Sequence, residues 1–92
     1  MNRTIVLATI KHDTNMQEMF AVVREEIAQV ELLRSEKRVG AVYLSQSRRT
    51  VFIEVFAESD AEVRATIATL PMARWWVLDL FPVSEPPAAD RS

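Results

Sequence analysis

Glu26 is the side chain with the clearest opportunity for proton chemistry. Met16, Met19, Phe20, Val23, Ile27, Val30 and Leu33 recur at spacings of three and four, which predicts one amphipathic helix over residues 16–34. At about 100° per residue from Val23, Ile27 falls at about +40°, Val30 at about −20°, Met19 at about −40° and Leu33 at about −80°. Glu26 falls at about −60°, inside the apolar arc, whereas Glu25 falls at about 200° and faces water. Burial among Met19, Val22, Val30 and Leu33 raises a carboxyl pKa toward neutrality, as a proton-transferring base requires. The alternatives for Glu26 are a side chain that snorkels at the helix edge or an ion-pair partner for Lys37 or Arg38.

Other polar residues interrupt apolar segments in the same way. Glu54 and Asp79 lie mid-strand among aromatic residues, where unpaired carboxylates are costly. Either they are pocket acids that contact a substrate and relay a proton, or they are structural partners for Arg74 or Arg49 across a dimer. Tyr43 has the phenol to hydrogen-bond a carbonyl or enolate oxygen, or to serve as an amphipathic interface residue. His12, next to Asp13 at the end of the first strand, sits at a mouth position or in a solvated loop. Phe52, Trp75 and Trp76 are candidates for core and pocket wall. The pair Arg48-Arg49 raises RNA readout from a sheet, but Glu54 between Phe52 and Phe56 and a net charge of −2 argue against it.

Composition narrows the chemistry further. The 92 residues are 49% hydrophobic and 26% charged, enough for one domain with a single two-layer core. With no cysteine and one histidine, the chain has no Cys/His zinc site, iron–sulfur cluster, disulfide scaffold or thiol nucleophile, and no metal is expected. One glycine, Gly40, is too few for a phosphate-cradling loop. The apolar start is too short for a secretion signal, and no segment approaches the ~20 residues of a membrane span, so a cytoplasmic protein is expected, binding neither membrane nor nucleic acid.

The elements that must position these residues follow from the patterning. Residues 4–10 are β-branched and apolar and read as a covered strand, followed by a polar turn and the helix over 16–34. Residues 39–45 and 50–57 read as two strands joined by Gln46-Ser47-Arg48-Arg49, a loop without the glycine of a tight two-residue turn. Ser59-x-x-Glu62 has the capping-box spacing, with the Glu62 side chain returning to the cap amide, and opens a second helix that Pro71 ends. Residues 74–81 read as an aromatic fourth strand, and Pro82 onward as a tail without regular structure. The order β-α-β-β-α-β is that of a ferredoxin-like α+β fold, a four-stranded antiparallel sheet with two helices on one face. Residues 1–83 form the domain and 84–92 the Pro-rich C-terminal tail.

The sheet's second face carries Phe52, Phe56, Trp75, Val77 and Phe81, too apolar to leave in water. Two sheets packed face to face in a homodimer, or a larger homo-oligomer, would cover it. A monomer whose tail folds back is the alternative.

Glu58-Ser59-x-Ala61-Glu62, the helix ending Thr69-Leu70-Pro71-Met72, the strand ending Asp79-Leu80-Phe81-Pro82, and Arg24-Glu25-Glu26 through Leu33-Arg34-Ser35-Glu36 together resemble the muconolactone isomerase-like family. The resemblance spans roughly residues 4–83. It implies a ferredoxin-like subunit paired through its sheets as a dimeric α/β barrel, and a role in breaking down aromatic compounds. It also implies a proton transfer that shifts a lactone double bond with no metal or organic cofactor. The family's proton-carrying glutamate on the first helix aligns with Glu26. Where the family places a histidine on the second strand, this chain has Gly40, Ala41, Val42 and Tyr43. Together these readings give an isomerase-like protein acting on a small lactone or carbonyl-activated ring compound. Glu26, Tyr43 and His12 would be catalytic, and Glu54, Trp75, Asp79 and Phe52 would bind substrate. A non-catalytic small-molecule-binding or assembly domain is the competing reading.

Overall fold

In the computed structural model, which describes residues 2–85, the chain forms one antiparallel sheet with helices on one side. The strands are β1 (Asn2–Ile10), β2 (Val39–Ser45), β3 (Thr50–Ala57) and β4 (Trp76–Val83). Their spatial order is β2-β3-β1-β4, compatible with the ferredoxin-like arrangement. β1 pairs β3 through Val6↔Ile53 and β4 through Val6↔Leu80. That central place explains why β1 is apolar almost throughout: Val6 and Ala8 are fully enclosed under the helices, while Ile5 and Leu7 take the other face.

Where one helix is expected over residues 16–34, the structure has two, α1 (Met16–Phe20) and α2 (Val23–Ser35). Asn15 caps the first, its Oδ1 accepting from the Gln17 and Glu18 amides at 3.0 and 3.2 Å. At the break the Ala21 amide is shared between the Gln17 and Glu18 carbonyls, and the Val22 amide tightens onto the Met19 carbonyl at 3.3 Å. The adjacent β-branched residues Val22 and Val23, stiff at χ1, mark the place where the helix is weakest.

Helix α2 is rolled relative to the sequence expectation. Val22, Glu26, Val30 and Leu33 face the sheet, and Val23 and Ile27 are 40% and 56% exposed. The buried stripe is therefore centred near Glu26, not near Val23. The helix ends in a Schellman motif: the Arg38 amide reaches the Leu33 carbonyl at 2.9 Å and the Lys37 amide the Arg34 carbonyl at 3.0 Å. Lys37 occupies the left-handed position at φ 59°, where glycine has no Cβ to clash. Lys37→Gly is expected to stabilise the fold by about 0.5–1 kcal/mol, seen as a higher urea midpoint at unchanged slope.

The hairpin loop 46–49 closes with the Arg49 amide on the Gln46 carbonyl at 3.2 Å, and Arg49 also lies in the left-handed region, at φ 50°. Helix α3 (Asp60–Ala68) starts at Ser59, whose Oγ accepts the Glu62 amide at 3.2 Å. The returning Glu62 carboxylate takes the Glu58 amide at 2.7 Å in place of the cap amide, one residue earlier than the capping-box expectation. Pro71 ends the helical run as expected, with Leu70 extended at ψ 130°.

Pro71 also begins a 3₁₀ turn (Pro71–Trp75) that the fourth strand was expected to occupy in part. Arg74 and Trp75 belong to this turn, since proline preorganises its first position. Trp75 is therefore not a strand residue. At its other end β4 runs on through Pro82 and Val83, opposite Thr4 and Arg3, where a tail was expected. An edge strand accommodates a proline that donates no hydrogen bond. Of residues 84–92, only Ser84 and Glu85 are described, outside regular structure. The core is Val6, Ala8, Leu33, Ile53, Val55, Val63, Ile67 and Leu70 between sheet and helices. Among the described residues no helix is long and apolar enough to cross a membrane.

Candidate functional site

A cavity of about 520 Å³ lies between the helices and the hairpin end of the sheet. Met16, Met19 and Met72 line it together with Trp76, Val42 and Val51. Thioether and aromatic walls of this kind adapt to a flat organic ring. At the rim Phe20, Ile27 and Leu44 are more than half exposed.

Glu26 reaches this cavity from the middle of the buried face of α2 and is only 9% exposed. Its Oε1 accepts the Met72 amide at 2.9 Å, joining α2 to the 3₁₀ turn. Burial pushes the Glu26 carboxyl above the usual carboxylate range, and the Met72 hydrogen bond pulls against that push. Neither alternative partner engages it: Arg38 reaches Glu36 at 3.7 Å and Thr66 Oγ1 at 3.0 Å. A desolvated carboxyl at an apolar wall holds its proton to a higher pH than a solvated one, which suits it to proton transfer.

The structure sets the other sequence-selected residues elsewhere. Tyr43, Phe52 and Asp79 lie in one cross-strand row with Leu7 (Tyr43↔Phe52, Phe52↔Leu7, Leu7↔Asp79), on the face turned away from the helices. Tyr43 and Glu26 thus lie on opposite faces of the sheet, and within one subunit the phenol does not meet a molecule held against Glu26. Tyr43, Phe52 and Glu54 share a separate shallow hollow of about 490 Å³ with Ile5 and Ala41. His12 is exposed in the turn after β1 and does not line the cavity. Trp75 is half-buried in the 3₁₀ turn, with the Arg74 guanidinium 4.6 Å from its ring centre.

Glu54 has a partner within its own subunit, and it is neither Arg74 nor Arg49. Its Oε2 lies 3.0 Å from Arg3 Nε and its Oε1 accepts the Ala41 amide at 3.0 Å. Gly40 makes this possible, because a Cβ there would collide with Glu54 Oε1 and crowd Phe56. The bulge between Val39 and Val42 turns the Ala41 amide toward the acid. Asp79 is exposed and has no ion-pair partner among the described residues.

Sequence reasoning missed two features of the cavity. The Met72 amide that holds Glu26 is a backbone group and leaves no trace in residue type. Arg49 at the rim had a trace, a hairpin loop without glycine. Compared with protein-family models and with curated proteins, the chain matches none.

Proposed function

We propose that the chain is a cofactor-independent, isomerase-like protein that moves a proton on a small lactone or other carbonyl-activated ring compound. The observation that supports this is Glu26, a carboxyl raised by burial in the wall of an apolar cavity large enough for one ring. Glu26 takes a proton from the carbon α to the carbonyl of an unsaturated lactone. The C–H electron pair enters a dienolate, and the proton returns at the γ carbon, so the double bond shifts and no other reactant is consumed. The resemblance to the muconolactone isomerase-like family supports the same chemistry and a cytoplasmic setting.

The apolar open face, with Val77 and Phe81 more than half exposed beside Phe52 and Tyr43, supports a homodimer paired sheet to sheet. The test of the chemistry is a β,γ-unsaturated γ-lactone incubated with the protein in D₂O. Deuterium entering the ring at the rate of double-bond migration is expected. Uncatalysed exchange across a panel of such lactones would overturn the reading.

The second reading is a non-catalytic small-molecule-binding domain. It is favoured by one observation: among the described residues that line the cavity there is no tyrosine or histidine to polarise a substrate oxygen.

A further inference from the structure

We infer that Gln29 is a positioning residue for Glu26: through Thr69 it holds the 3₁₀ turn against α2, so that the Met72 amide keeps one oxygen of Glu26 and the other is left to the substrate. The inference rests on the proposed reading of Glu26 as the proton carrier and deepens it. Glu26 and Gln29 stand three residues apart on α2, so their side chains leave the same side of the helix. Each reaches across to the segment that follows α3. Glu26 Oε1 accepts the Met72 amide at 2.9 Å, and Gln29 Nε2 donates to Thr69 Oγ1 at 2.9 Å.

The bridge runs in one direction. Thr69 Oγ1 donates its single proton to the Thr66 carbonyl at 2.7 Å, so it meets Gln29 only as an acceptor. Glutamine supplies an uncharged donor there and adds no charge near Glu26. Between Thr69 and Met72 the chain has little freedom. The Leu70 amide is bonded to the Ile67 carbonyl at 2.9 Å, and Leu70 is extended at ψ 130°. Pro71 has its φ fixed by its ring, and the Ala73 amide returns to the Leu70 carbonyl at 3.0 Å. A displacement at Thr69 is therefore passed on to the Met72 amide.

Met72 is the only hydrogen-bond partner of Glu26 among the described residues, which leaves Oε2 to face a substrate. Without the Met72 bond the contact that pulls against burial is gone, so the carboxyl holds its proton more tightly still and loses its fixed orientation. Other charges around it do not substitute. Arg49, the other charged side chain among the described residues lining the cavity, contacts the Lys11 carbonyl and Met16 Sδ. Arg74 of the turn lies over the Trp75 ring, and α1 and the strands present only uncharged residues to the cavity. Gln29 is half-buried and Thr69 exposed, so the bridge lies at the surface and its loss costs the fold little.

The test uses Gln29→Met, which keeps the length and removes the donor, and Thr69→Val, which keeps the shape and removes the acceptor. Both leave the charge unchanged. In each, NMR is expected to show the Met72 amide exchanging with solvent roughly tenfold faster and the Glu26 carboxyl titrating at a higher pH than in the unmodified protein. Lactone exchange in D₂O is expected to fall by roughly 10–10²-fold in kcat with KM little changed, the scale of a small misplacement of a reacting group. The double variant is expected to match the single ones, since the same bridge is lost in all three. Thr69→Ser keeps the hydroxyl and is expected to behave as the unmodified protein. A Met72 amide and a Glu26 titration that stay unchanged in Gln29→Met, or effects that add in the double variant, would overturn the inference. An unmodified protein that exchanges no lactone would instead overturn the proton-transfer reading, and the Met72 and Glu26 signals would still decide whether Gln29 holds the turn.

Discussion

Glu26→Gln is expected to lower lactone isomerisation by roughly 10²–10⁴-fold, the contribution of a positioned general base, while the chain stays folded. Glutamine has the same length and keeps an acceptor oxygen for the Met72 amide, so the link between α2 and the 3₁₀ turn survives. What disappears is the group that exchanges a proton.

A second readout is independent of any substrate. The folded-state pKa of Glu26 is raised above its ordinary value of 4.5, so the folded chain holds this proton more tightly than the unfolded chain does. The stability this contributes is complete below pH 4.5 and is lost as pH rises through the raised folded value, because the unfolded state ionises first. Glutamine does not titrate. The stability of Glu26→Gln relative to the unmodified protein is therefore expected to grow as pH rises, measured by urea unfolding from about pH 4 to 8. Parallel stability curves would show an ordinary solvated carboxyl, and unchanged turnover would remove Glu26 from the chemistry.

The strands were legible because each carries its own local pattern. In β3, Val51, Ile53 and Val55 alternate with Phe52, Glu54 and Phe56, and a period of two survives any error about neighbouring elements. The roll of α2 was not legible. Taking Val23 into the buried stripe assumed that every apolar residue of the run packs, whereas Phe20, Val23 and Ile27 stand exposed along the cavity and the buried side runs through Met19, Glu26 and Leu33. Glu26 was found in spite of this, because its position near −60° lay inside the expected stripe and lies closer still to the centre of the real one. Trp75 was misplaced because Pro71 was read only as the end of a helix, although proline also starts the 3₁₀ turn that takes up the next residues. Glu54 was expected to need a partner. That partner, Arg3, sits two residues from Ile5, its cross-strand neighbour, and nothing in the local sequence of either strand announces that register.

Phe52→Glu is expected to convert the proposed sheet-to-sheet dimer, about twice 10.5 kDa, into a monomer near 10.5 kDa. Phe52 is flanked by Tyr43 and Leu7 in the row that ends at Asp79, on the face opposite the helix-covered core. A substitution there leaves Val55, Leu33 and Ile67 packed as before, so the subunit should still fold. In an isologous interface the change occurs once on each subunit. At about 2 kcal/mol for one buried aromatic anchor, the pair costs about 4 kcal/mol, roughly a thousandfold in dissociation constant. The new carboxylate also joins Glu54 and Asp79 on the same face, and like charges brought together across the interface act in the same direction. Leu32→Glu, on the exposed outer side of α2, adds the same charge away from the sheet and should leave the dimer intact. Size-exclusion chromatography with light scattering reads all three proteins: a monomeric unmodified chain, or a Phe52→Glu variant that still pairs, would show that the open face is not where two copies meet.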